Sequence, residues 1–276
     1  MNLERLLDRI RRAPVMGVVV RVIERFGRDG GSYLAASITF YLFVAAVPLA
    51  LLAVSVAGFA LEEIGAEEQA ALIERIATHI PALGPLVHQN LDAVAALRGP
   101  AGIIAVIGIV WGAAGAGNAL RHALSRIFGF DMEGAGFMGP KLRTLGFLSV
   151  LLLAVLIATG LTGIAASTTI LPFAALTFAL VVALDFGVAY LAYRIFTPKA
   201  VMRSRDLLGG AVVAAVGLGA LSLLGTWYTQ RVVLRATIVF GTFAGLIGVL
   251  VLLNLSAMTL LYGAEFAAER KDVPAD

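Results

Sequence analysis

Charged residues punctuate this chain at wide intervals. Residues 30–61, 99–120, 144–184, 207–230 and 236–264 contain no Asp, Glu, Lys or Arg, and these runs measure 32, 22, 41, 24 and 29 residues. A bilayer core about 30 Å thick is crossed by roughly 20 helical residues, so every run is long enough to span it. The 41-residue run is too long for one crossing, and Ser167, Thr168, Thr169 and Pro172 predict a tight turn near its middle. The pattern predicts six membrane helices, at about 34–61, 102–121, 144–167, 172–195, 207–229 and 238–263. Barrel strands would alternate polar and apolar residues over about ten positions. Stretches such as LLLAVLIA and VVALDFGVAY do not alternate. The expected fold class is an all-α integral membrane protein, a six-transmembrane-helix bundle forming a single membrane domain over residues 1–276.

The segments outside the apolar runs carry their own periodicity. Leu3, Leu6, Leu7 and Ile10 share one helical face, with Arg5, Arg9 and Arg12 elsewhere. Residues 1–30 therefore read as a basic amphipathic helix lying on the inner leaflet. They do not read as a cleavable signal peptide, because the apolar stretch 13–20 is short and Arg21, Glu24 and Arg25 come directly after it. Residues 62–100 begin with acidic Glu62, Glu63, Glu67, Glu68 and Glu74. Leu72, Ile73, Ile76 and Ile80 then lie at helical spacing up to Pro81, and Gly84-Pro85 restarts a second helix. Two short helices capping the extracytoplasmic face are expected. With the N-terminus inside, 17 of the 21 basic residues fall on the cytoplasmic side, and only Arg75, Arg98, Arg231 and Arg235 fall outside. The positive-inside rule then predicts cytoplasmic N- and C-termini.

Composition agrees. The chain is 60% hydrophobic and 14% charged, against about 25% charged in soluble domains. That excludes a soluble enzyme and a disordered chain. The absence of cysteine excludes disulfides, thiol nucleophiles and thiolate metal sites. His79, His88 and His122 lie apart, and no HExxH, Walker or GxSxG motif is present. We expect no catalytic residues, no metal, no cofactor and no enzymatic activity. Arg121, Arg126, Lys141 and Arg143 could meet phosphate, since lipid headgroups carry it, or could serve as positive-inside charges alone.

The polar residues inside the runs are the candidate functional ones. A central Asp costs about 2.5–3.5 kcal/mol on insertion scales, which singles out Asp185. Asn254 sits at a similar depth in the last helix, Asn118 lies one turn before Arg121, and Ser37, Thr39 and Tyr41 occupy the inner half of the first helix. Polar groups from four helices thus share the cytoplasmic half of the bilayer. They read as a polar cavity open to the cytoplasm, a substrate or proton pathway; separate interhelical hydrogen bonds are the other reading. Pro48 should kink the first helix and is a candidate hinge. Gly112, Gly115 and Gly117, then Gly209, Gly210, Gly217 and Gly219, and the pair Gly241 and Gly245 mark close helix contacts.

Several of these segments together resemble one family. Helix one reads AASITFYLFVAAVPLALL, similar to an Ala-Ala-x-x-x-Tyr-Tyr…Pro-Leu-Leu signature, with Phe40-Tyr41 and Pro48-Leu49 in place and Ala45 where Ser is common. WGAAGAGNALRHALSRIFG, the AYRIFTP exit with Tyr193, Arg194 and Pro198, Gly210-Ala211, and Gly263-Ala264-Glu265 come after it in order. The chain resembles the YihY/BrkB family of bacterial inner-membrane proteins, once labelled ribonuclease BN. It departs from that pattern at Asn254-Leu255-Ser256, where members carry Trp and Tyr. The resemblance implies six helices with both ends inside and a bacterial cytoplasmic membrane location. It implies transport of a lipid or lipid precursor as a candidate activity, with a structural or assembly role as the alternative. Membrane lipids are the expected partners, with a homo-oligomer or an envelope protein as further candidates. No nucleic acid is expected, because no metal-binding acids are arranged for RNA hydrolysis.

Overall fold

The computed structural model describes residues 14–45, 100–131, 171–228 and 242–272, together with part of 143–161. All regular structure among them is helical. Helix α1 is Pro14–Arg28 and α2 is Gly31–Ala45. Helix α3 is Pro100–Phe128, and α4 comprises the helical residues within 143–161. Helices α5, α6 and α7 are Leu171–Phe196, Ser204–Tyr228 and Thr242–Asp272. Three segments are long and apolar enough to cross a membrane, namely Ala175–Phe196, Ser204–Gly225 and Leu246–Lys271. The spans expected at 172–195 and 207–229 coincide with α5 and α6, and 102–121 falls inside α3. The last helix runs past the expected end at 263 to Asp272, carrying Glu265 and Glu269 within it. The hinge at Pro48, the cap at 62–99, the face of Leu3 to Ile10 and Gly241 lie outside the described residues.

Helix ends obey local chemistry. Gly30 and Gly129 adopt φ of +72° and +67°, which side chains with a Cβ rarely tolerate. Gly30 separates α1 from α2. Gly129 ends α3 in a Schellman turn, with Phe130 N–H donating to the Ser125 carbonyl at 3.1 Å. At the start of α6, the Asp206 carboxylate accepts from the Arg203 N–H at 3.2 Å, and its charge suits the positive end of the helix. Inside the apolar helices, Ser222 and Thr259 donate to the carbonyls of Leu218 and Leu255 at 3.0 and 2.7 Å. Each hydroxyl is thereby satisfied without water.

The chain packs as two compact units. The first comprises Met1–Ile38, Gly117–Leu224 and Asn254–Asp276. Here Gly210 of α6 and Gly263 of α7 meet backbone to backbone: a Cβ on Gly263 would lie 2.5 Å from the Gly210 carbonyl oxygen. Tyr193 of α5 is fully buried and donates its hydroxyl to the Leu260 carbonyl at 2.5 Å. Gly219 receives Val182 and Phe178, Gly217 receives Thr259, and Gly117 receives Thr144. Phe147 stands edge-on to Phe196, with ring centroids 5.3 Å apart. The second unit comprises Thr39–Ala116 and Gly225–Leu253. In it Gly115 lies under the Tyr41 ring and Gly112 against the backbone of Ala45. The glycines flagged by sequence at these positions are contact points between helices. Hydrocarbon cannot drive helices together as water does, so small residues that admit close approach hold the bundle.

Large apolar side chains point outward along α5 to α7. Leu176, Val216, Leu223, Leu224 and Ile247 are each more than half exposed. Such a surface is untenable in water and is what lipid-facing helices present.

Gly210→Ala is expected to destabilise by about 1–3 kcal/mol, the usual range for overpacking, because rigid backbone stands where the methyl would go. Gly187→Ala, with open space around it, is expected to be neutral or stabilising. Thermal unfolding of the two purified variants in the same detergent checks the contrast.

Candidate functional site

The charged residues that α7 carries beyond its expected end are buried. Glu265 is 0% exposed and Glu269 is 7% exposed. An ionised carboxylate in such a place needs a cation and hydrogen bonds, and α1 supplies them. Arg25 places Nε 3.4 Å from Glu265 Oε2 and Nη1 3.7 Å from Glu269 Oε2. Arg21 pairs with Glu269. One turn away Phe26 stacks on Tyr262, with centroids 4.0 Å apart and planes 18° off parallel. Val22 and Phe26 are buried on the same side of α1. The neighbouring apolar positions Met16, Val19 and Ile23 are about half exposed. Helix α1 is thus amphipathic: one flank is locked to α7 by charge and aromatic contact, and another is free.

Beside this lock lies an open cavity of about 320 Å³. Four cations reach its wall: Arg25 and Arg28 from α1, Arg126 from α3 and Lys271 from α7. Asp29 is the acid among them. Ile127, Phe128, Met202 and Ala268, all buried, provide apolar lining. Sequence reasoning found Arg126 as a phosphate candidate but grouped it with Arg121, Lys141 and Arg143. The grouping with α1 and α7 spans more than 140 residues of chain and has no local signature.

The polar residues of the apolar runs differ in burial. Asp185 is half-buried in α5, and its Oδ2 is buried without a hydrogen-bond partner. Among the described residues no cation pairs with it. Asn254 is half-buried and engaged, Thr39 is buried and engaged, and Ser37 and Asn118 are exposed. Arg121 is half-buried. Tyr41 packs edge-on to Phe40 and Trp111 at 5.3 and 6.4 Å. None of these residues lines the basic cavity. The motif residues behave as architecture: Tyr193 and Gly263 form the α5–α7 contact, Glu265 takes Arg25, and Arg194 and Pro198 lie at the α5 exit, half-buried and exposed. No metal-holding group of His, Asp and Glu occurs among the described residues.

A family model described as Virulence factor BrkB matches residues 22–275. The chain belongs to that family of membrane proteins. No curated protein and no solved structure matches it.

Breaking the α1–α7 lock from one side should be costly. Arg25→Ala is expected to destabilise by about 3–5 kcal/mol, because it strands a buried carboxylate. Adding Glu265→Gln in the same chain should recover more than half of that loss. A double-mutant cycle by chemical unfolding in detergent measures the coupling.

Proposed function

We propose that the protein is a non-enzymatic transporter of the bacterial cytoplasmic membrane. It crosses six times with both termini inside and moves a lipid, lipid precursor or other small amphipathic substrate through a polar cavity open to the cytoplasm. Asp185 supports this reading best. Its Oδ2 is buried and unpartnered in a helix otherwise made mostly of apolar residues. A buried polar atom left unpaired costs about 1–3 kcal/mol, and intramembrane acids mark substrate and proton pathways more often than they fill bundles. Asn254, in the same packing unit, supplies a second polar group for such a route. Membership of the BrkB family supports the membrane setting.

Translocation of a fluorescent short-chain phosphatidylglycerol between leaflets of proteoliposomes tests the proposal. Asp185→Asn should slow it about tenfold or more, equivalent to losing one hydrogen bond to a charged group. Unchanged flux, joined with a stable crosslinked partner, would favour the assembly role instead. Because the native chain has no cysteine, single introduced cysteines report topology directly. Ala71→Cys should react with an impermeant maleimide from the periplasmic side, and Ser204→Cys only after the membrane is opened. The reverse pattern would overturn the assigned orientation.

A further inference from the structure

The basic cavity is not part of the polar route around Asp185, and its chemistry selects a ligand of its own. Arg25 is already committed to Glu265 and Glu269. Arg28, Arg126 and Lys271 are exposed and without acid partners among the described residues, and Asp29 offsets one of them. Two positive charges remain. Helices α1, α3 and α7 all end here, with Arg25 and Arg28, Arg126, and Arg270 and Lys271 in their last turns. Each carboxyl end carries roughly half a negative charge, so part of the surplus answers the three helix ends. What is left suits a singly charged anion better than a doubly charged one.

The shape narrows the choice further. About 320 Å³ is at the small end of ligand-sized sites. Arginine presents two N–H groups in the plane that phosphate oxygens require. The buried Ile127, Phe128, Met202 and Ala268 give the site an apolar side that a free inorganic ion would not use. Met16, Val19 and Ile23 lie exposed on α1, the helix whose last turn supplies Arg25 and Arg28. That face needs hydrocarbon cover, which puts the cavity at headgroup depth. We propose that the cavity lined by Arg28, Arg126 and Lys271 binds a phosphodiester anion, the headgroup of an anionic phospholipid or a soluble phosphodiester of the same chemistry. The site stands whether or not the chain transports; it relies on the proposed function only for facing the cytoplasm.

The test uses the full chain in phosphatidylcholine nanodiscs, with and without phosphatidylglycerol, and the soluble diester glycerophosphoglycerol as a second probe. Lipid retained by the protein is counted by native mass spectrometry, and glycerophosphoglycerol binding by calorimetry. Arg28→Ala with Arg126→Ala removes two cavity cations that hold no ion pair among the described residues. Lys199→Ala with Arg205→Ala removes two exposed cations elsewhere. The cavity variant should lose phosphatidylglycerol preference, about fivefold per cation removed, and the control variant should keep it. Binding of the soluble diester with the same variant dependence makes the source soluble; binding only in phosphatidylglycerol discs makes it lipid. Equal loss in both variants, or loss in neither, overturns the proposal, since diffuse surface charge or no binding would then account for the result. Asp185→Asn should leave this binding intact, so failure here and failure of transport are read separately.

Discussion

A carboxylate at position 265, wholly shut off from solvent, has to be answered by a cation. The cation comes from the other end of the chain, Arg25 on α1. This pairing has consequences in both directions. It lets α7 continue as helix through Glu265 and Glu269 to Asp272, and it fixes α1 alongside α7 with Phe26 stacked on Tyr262. Neither the ion pairs nor the stack would carry the contact alone. A buried pair scarcely stabilises against its desolvation cost, but it is specific: any other register of α1 on α7 strands two acids.

The apolar helices are held by a different device. Where Gly210 meets Gly263, two backbones touch, and the Tyr193 hydroxyl closes the same junction by bonding to the Leu260 carbonyl. In lipid such contacts replace the solvent-driven packing of soluble cores. The family motif residues Tyr193, Gly210, Gly263 and Glu265 are therefore accounted for by packing and pairing. Among the described residues, Asp185 and the basic cavity are two features that this packing does not explain.

Much of this was legible in the uncharged runs. The extent of α6 follows its run closely, because an apolar helix in a bilayer ends where charge or a turn appears, whereas α5 continues through Asp185 past the end of its run at 184. The same rule misplaced the end of α7. It assumes that charge means solvent, and Glu265 and Glu269 violate it by finding partners about 240 residues away. Arg21 and Arg25 read, for the same reason, as topology-setting charges, although they are also structural partners. The glycines of α3 and α6 were legible as contact points, since only close approach justifies them. The cavity was not, because Arg28, Arg126 and Lys271 are each ordinary last-turn cations, and only tertiary packing gathers three helix ends. Residue spacing places Asp185, Asn254 and Asn118 at similar depths, but depth is one coordinate of three and does not set which way a side chain faces.

Asp185 of α5 and Glu265 of α7, both in the first unit, are under opposite treatment. Each keeps one buried oxygen without a hydrogen bond, Oδ2 of Asp185 and Oε1 of Glu265. The difference lies in the charge. Glu265 gives its other oxygen to Arg25, with Asp29 close enough to oppose its charge. Asp185 is given no cation among the described residues. The fold can evidently bring a basic side chain to a buried carboxylate, since it does so elsewhere in the same unit. An acid needed only for stability would be cheapest to replace by any of the Leu, Val or Ala residues that fill much of α5, because an apolar side chain there leaves nothing unsatisfied. Retaining an acid with no resident cation makes physical sense where the partner arrives from outside, as a proton, a water or the polar end of an amphiphile. That asymmetry is the ground on which Asp185, rather than Glu265, is proposed as the functional acid.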